Sequence, residues 1–162
     1  MKRLIFALAI SLVFNFSFGQ SRAFDATDDG SIIRHYDSIY PGAFHKDSTK
    51  SVFHTDEEFE KMNTEYTTLL QSLGKFLKAN NYKWTKETKM WQRFYFSPEG
   101  KTDYVVYIFR GKAEEQPTTE QKMEFNRLLN LFIQDYQFGM TAKSKFSQCS
   151  PSVYYATTET TK

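Results

Sequence analysis

The sequence predicts a small α+β domain in which two amphipathic helices cover one face of a small, mainly antiparallel sheet. Three observations carry this. Two capping-box patterns, Thr55-Asp56-Glu57-Glu58 and Thr118-Thr119-Glu120-Gln121, each open a run of apolar residues at three- and four-residue steps. Between them, two aromatic-rich segments flank Ser97-Pro98-Glu99-Gly100-Lys101, a stretch with turn chemistry. The apolar share of 40% and aromatic share of 17% exceed what a disordered chain carries, and one cysteine excludes a disulfide scaffold or a multi-thiolate metal site.

Taken in order, residues 1–19 have the shape of a cleaved secretory signal. Lys2 and Arg3 precede an apolar run from Leu4 to Phe18, and Ser17-Phe18-Gly19 places small residues where cleavage before Gln20 needs them. The run reaches about 22 Å as a helix, short of a hydrocarbon core of about 30 Å, so a signal is expected rather than a stable membrane span. The protein is then secreted or periplasmic. Without Lys2 and Arg3 the chain holds 19 basic and 19 acidic residues, a balance that argues against a nucleic-acid partner.

Residues 20–51 show little periodicity and read as an extended or partly ordered arm; residues 52–157 form the single domain, followed by a disordered tail at 158–162. The first helix is expected over about 56–79, where Phe59, Met62, Tyr66, Leu69, Leu70, Leu73, Phe76 and Leu77 share a face and Asn80-Asn81 supplies a left-handed stop. Strands over 88–96 and 103–110 make a hairpin. The second helix, about 119–137, carries Phe125, Leu128, Leu129, Phe132 and Ile133 and is expected to stop at Gly139. A last short strand near 152–157 contains Val153-Tyr154-Tyr155-Ala156.

Pairing Ser97 with Lys101 divides the hairpin into two faces. Met90, Gln92 and Phe94 then share one with Tyr104, Val106 and Ile108, the more apolar face, expected beneath the helices. The other holds Trp91, Arg93 and Tyr95 with Val105 and Tyr107, a ladder of rings around one cation. Trp91, Tyr95 and Tyr107 suit stacking on a partner and Arg93 suits directional hydrogen bonds or a cation–π contact. The arm, or a second copy in a homodimer, is the competing cover for this face.

The stretch from Trp91 to Ala156, with its hairpin turn at Gly100, a strand ending Arg110-Gly111, a helix, Tyr136-Gln137-Phe138-Gly139-Met140-Thr141-Ala142 and a closing strand, resembles the C-terminal domain of TonB-like proteins. Met140 stands where that family carries Pro. The resemblance implies periplasmic protein–protein contact by strand pairing.

Catalytic signatures are sparse. His35, His45 and His54 lie nine and ten residues apart without the companions a metal site uses. Asp25-Ala26-Thr27-Asp28-Asp29-Gly30-Ser31-Ile32 opens like a calcium loop, but Tyr36 stands where the bidentate Glu belongs. Cys149 has no histidine near it in sequence to act as its base, so apolar packing is its expected role. The reading is an exported, non-enzymatic binding or protein-interaction module that uses an aromatic sheet face, its partner an envelope protein or small ligand, with no cofactor or metal. The alternative is a small secreted hydrolase with its site on the same face.

Overall fold

A computed structural model describes residues 22–157. In chain order the elements are β1 (Ala23–Asp25), α1 (Ser31–Asp37), α2 (Asp56–Ala79), β2 (Thr88–Phe96), β3 (Thr102–Arg110), α3 (Thr119–Asp135) and β4 (Phe146–Tyr154). The expected signal segment and tail lie outside the described residues. The α+β class stands, with a third helix and a mixed sheet ordered β1-β3-β2-β4; only β1 runs parallel to its neighbour, β3.

Local chemistry explains the two long helices. Thr55 Oγ1 accepts from Glu58 N at 3.1 Å while Glu58 Oε2 accepts from Thr55 N at 3.0 Å, so two backbone donors at the start of α2 are satisfied reciprocally. Met62, Tyr66, Leu69, Leu73 and Leu77 then fall on one stripe, all buried. The expected stop is present: Asn81 adopts φ +58, and Tyr82 N donates to Leu77 O at 3.0 Å. Thr118 and Gln121 form the same box on α3. That helix ends at Asp135, two residues short of expectation, because Tyr136 turns extended; Gly139 is not left-handed.

The inner face of the sheet meets α2 and α3 through a continuous core that includes Met90, Phe94, Phe96, Val105, Tyr107, Phe109, Phe125, Leu129 and Phe146. The aromatic rings interlock here. Phe96 stacks on Phe138 at 4.4 Å between centroids and on Phe146 at 5.0 Å.

Two expectations need correction. Next to the turn, Phe96 pairs with Thr102 as the Ser97–Lys101 alignment requires, but Tyr95 pairs with Tyr104, so Asp103 is an extra residue and β3 is shifted by one from there on. A one-residue shift exchanges faces. Trp91, Arg93 and Tyr95 therefore stand with Ile108, Val106 and Tyr104, and Tyr107 stands inside with Phe94. The second correction concerns β4, which begins at Phe146 rather than near 152. Its polar Ser147-Gln148-Cys149-Ser150 segment pairs with β2 throughout, from Phe96 opposite Phe146 to Thr88 opposite Tyr154.

The segment read as an arm packs onto the outer face. β1 adds to the free side of β3, and Asn130 Oδ1 accepts from Arg22 N and Ala23 N at 2.8 and 3.1 Å. At the opposite edge Pro41–Ala43 touches β4: Ser147 N donates to Pro41 O at 2.8 Å and Ala43 N to Ser147 O at 2.7 Å. Between these anchors α1 lies across the sheet, its Ile32, Ile33 and Tyr36 packed on a second, smaller core of Ala26, Tyr40, Tyr95 and Val106.

Candidate functional site

The four residues singled out for the outer ladder have different fates. Tyr107 is 1% exposed on the inner face, where its ring meets Phe125 edge-on at 5.2 Å and Asn126 Nδ2 donates to its hydroxyl at 2.8 Å. Tyr95 is on the expected face but fully buried beneath the arm. Arg93 lies beside it: Nη1 donates to Asp37 Oδ2 at 2.7 Å, Nε and Nη2 donate to Ser147 Oγ at 3.3 and 3.2 Å, and its guanidinium carbon stands 5.8 Å from the Tyr95 ring centre. Trp91 alone of the four keeps partial exposure clear of this network, opposite Ile108 on one side and Pro151 on the other.

The covered part of the outer face is a latch. Tyr95 Oη donates to Asp37 Oδ1 at 2.9 Å, so one carboxylate at the end of α1 holds both the cation and the phenol. Alongside, Tyr40 Oη donates to Asp103 Oδ2 at 2.9 Å, and Tyr36 stacks on Tyr104 at 4.3 Å. Asp103 is the extra residue of the bulge, and its position there turns its carboxylate toward Tyr40. Burial first, then the hydrogen bond to a carboxylate, push the hydroxyls of Tyr40 and Tyr95 far above the usual phenol range, so both remain donors. Every strong polar group of the latch is engaged within the chain.

An open concavity lies elsewhere, where the C-terminal end of α2 meets the segment Asn81–Trp84 and the last residues of β4. It is a groove of about 530 Å³. Gly74, Leu77 and Lys78 form one wall, Val153, Tyr154, Tyr155 and Thr157 the other, and Asn81, Tyr82, Lys83 and Trp84 close the end. The indole of Trp84 stacks on Tyr154 at 4.7 Å and 29°, with Tyr82 edge-on at 4.9 Å. Thr157 N donates to Trp84 O at 2.8 Å, which holds the two chain segments side by side. Behind the ring, Gln92 Nε2 donates to Tyr154 Oη at 2.9 Å; burial, opposed in part by this bond, pushes the hydroxyl up to about 12.

Sequence reasoning placed Tyr154 in a last short strand and did not bring it together with Tyr82 and Trp84. Seventy residues separate Trp84 from Tyr154, and only the pairing of β4 along β2 makes them neighbours. The glycine was the available signal. Gly74 interrupts an otherwise strong helical stripe at a place where no turn is needed.

The remaining candidates are occupied locally. Asp25 accepts from Thr27 N at 2.9 Å and Asp29 from Ser31 N at 2.8 Å, so these carboxylates of the calcium-like stretch serve short turns. His35, His45 and His54 are exposed and dispersed, and among the described residues no group of three or more His, Cys, Asp or Glu side chains is placed to hold a metal ion. Cys149 is a half-buried free thiol opposite Arg93. No helix among the described residues is long and apolar enough to cross a membrane. Comparison with known proteins finds no matching family, no matching curated protein and no matching solved structure.

Proposed function

We propose that the protein is an exported binding module whose ligand occupies the groove between α2, Trp84 and Tyr154, and that the outer aromatic ladder is a structural latch rather than the recognition surface. The observation that carries this is Gly74. A glycine within a helix costs about 1 kcal/mol relative to alanine, and a close neighbour commonly excludes the side chain. Here a Cβ would meet nothing within 4 Å. What the missing side chain preserves is open space along the α2 wall of the groove, whose volume of about 530 Å³ falls within the range of about 300–1,000 Å³ usual for small-molecule sites.

The test is native mass spectrometry of the protein purified from the cell envelope or the medium. A small-molecule adduct is expected on the wild-type chain and absent from Gly74→Leu, whose added side chain enters the groove. N-terminal sequencing of the same sample is expected to start at or within a few residues of Gln20. Intact Met1 in a membrane fraction would refute export; an adduct retained in Gly74→Leu would refute the groove.

The strand pairing implied by a TonB-like relationship has one observation in its favour, the outer edge of β4. Ser147 turns its backbone outward to the arm, so by alternation Cys149, Pro151 and Val153 also face outward, beyond the reach of Pro41–Ala43. Pro151 offers an acceptor there but no donor. This edge suits a short extended peptide, and cross-linking from Val153 in whole envelopes would identify it.

A further inference from the structure

We infer that the core binds a structural water molecule between Tyr66 on α2, Gln92 on β2 and Ser150 on β4, and that this water fixes the Gln92 amide, which in turn holds Tyr154. The observation that carries it is a pair of unsatisfied groups facing each other. Among the described residues, Gln92 Oε1 and Ser150 Oγ are buried without a hydrogen-bond partner in the chain. Gln92 pairs directly with Ser150 across the β2–β4 ladder, so both side chains leave the same, helix-covered face with their Cβ atoms about 5 Å apart. Thr102 Oγ1 is buried without a partner too, but it lies opposite Phe96 and has no such counterpart.

Tyr66 closes the site from the helix side. Its hydroxyl donates to Gln92 O at 3.5 Å, well beyond the length of about 2.7–2.8 Å usual for such a bond, so it has capacity to spare. Burial pushes this hydroxyl far above the usual phenol range, and the Ser150 hydroxyl beside it draws it back in part, so it remains a donor. The other end of the Gln92 amide is fully used: Nε2 donates to Ser152 Oγ at 3.0 Å and to Tyr154 Oη at 2.9 Å. Turning the amide over would put Nε2 in the unpartnered position instead and leave the same group unsatisfied. Folded proteins meet such buried groups with ordered water. A water that donates to Gln92 Oε1 and Ser150 Oγ and accepts from Tyr66 Oη makes about three bonds, the usual number for a buried one. An apolar guest would leave both oxygens unpaired. Through Gln92 the water reaches Tyr154, whose ring stacks on Trp84 in the groove wall. The water itself requires no ligand in the groove.

The test joins a high-resolution crystal structure with water-selective NOE spectroscopy in solution. A solvent peak is expected within about 3.2 Å of Gln92 Oε1, Ser150 Oγ and Tyr66 Oη, together with cross-peaks from a long-lived water to protons of Tyr66 and Gln92. Gln92→Met, apolar and of similar length, is expected to lose the peak and the cross-peaks and to shift the Tyr154 ring resonances. Tyr66→Phe and Ser150→Ala each delete one bond and little volume, so each is expected to keep the water and shorten its residence by about tenfold, the worth of one hydrogen bond; these two carry the test should Gln92→Met not fold. Ser152→Ala, which removes a partner of Nε2 and none of the water's, is expected to keep the cross-peaks, with melting of each variant showing an intact fold. A direct bond from Ser150 Oγ to Gln92 Oε1 with no solvent peak beside it would overturn the proposal. Residence unchanged in both Tyr66→Phe and Ser150→Ala would place the water elsewhere and overturn it too. Unaltered Tyr154 resonances in a folded Gln92→Met protein would overturn the link to Tyr154.

Discussion

Replacing Asp37 with Ala removes in one step the acceptor for Arg93 Nη1 and for Tyr95 Oη, at 2.7 and 2.9 Å. The two losses differ in size. Tyr95 is fully buried, and its hydroxyl would be left without a partner, a penalty of about 1–3 kcal/mol. The Arg93 and Asp37 side chains are 19% and 33% exposed, so water replaces part of that pair and its share is discounted to about 1 kcal/mol. The expected destabilisation is therefore about 3 kcal/mol, measured as the shift in a urea transition. Asp37→Asn, which keeps one carbonyl acceptor, is expected to cost about half as much. Tyr95→Phe in the Asp37→Ala background removes the orphaned hydroxyl, so the pair should show a coupling of about 1–2 kcal/mol in a double-mutant cycle. A second readout is local. α1 has only seven residues and cannot persist unsupported, so Asp37→Ala should also accelerate tryptic cleavage at Arg34. A loss below about 0.5 kcal/mol, with unchanged cleavage, would refute the latch.

Other consequences follow from the same geometry. Trp91→Ala, truncating a half-buried ring, should cost about 1–2 kcal/mol in denaturant melts, less than the 3–5 kcal/mol of a fully buried aromatic. Gly100→Ala should cost about 2 kcal/mol or more by thermal unfolding, because φ is +81 and the added Cβ would press on the backbone carbonyls of Phe138 and Met140. Alkaline pH should unfold the protein early. Burial raises the hydroxyl pKa of Tyr40, Tyr66, Tyr82, Tyr95, Tyr107 and Tyr154 above the unfolded value near 10. Between those values the unfolded chain binds fewer protons, so stability is full below about pH 9 and falls above pH 10 by about 1.4 kcal/mol per pH unit for each tyrosine. Urea midpoints at pH 8, 10 and 11 measure this, and a midpoint unchanged at pH 11 would contradict it.

How far the chain could be read in advance depended on whether the determining chemistry was local. The bounds of α2 were legible because Thr55, Glu58 and Asn81 mark its ends through bonds within a few residues. The turn from Ser97 to Lys101 was legible for the same reason. By contrast, α1 begins at Gly30 without a side-chain cap, and its Ile32, Ile33 and Tyr36 make too short a pattern to stand out; the outer face of the sheet orders it. The start of β4 was hidden because Ser147-Gln148-Cys149-Ser150 has the polarity of a loop, although β2 supplies every pairing partner. The bulge left no trace in the alternation on either side. The candidate groove was invisible for a different reason: its walls come from chain segments distant in sequence, brought together by the long-range β2–β4 pairing and the bond from Thr157 to Trp84.

The extra residue in β3 gives the hairpin a parity. Substitution at Asp103 can weaken the bond to Tyr40, but it preserves the count of residues between the turn and Arg110. Deletion of the same residue changes that count. The uninterrupted ladder would carry Val105, Tyr107 and Phe109 to the solvent side and bring Tyr104, Val106 and Ile108 against the helices, where Asn126 would lose the phenol it now contacts. Length at this position is thus under stronger physical constraint than side-chain identity. In lineages of this fold, a gap at residue 103 would mark an inside-out hairpin, and its appearance should coincide with coordinated replacements on α3 and in the arm.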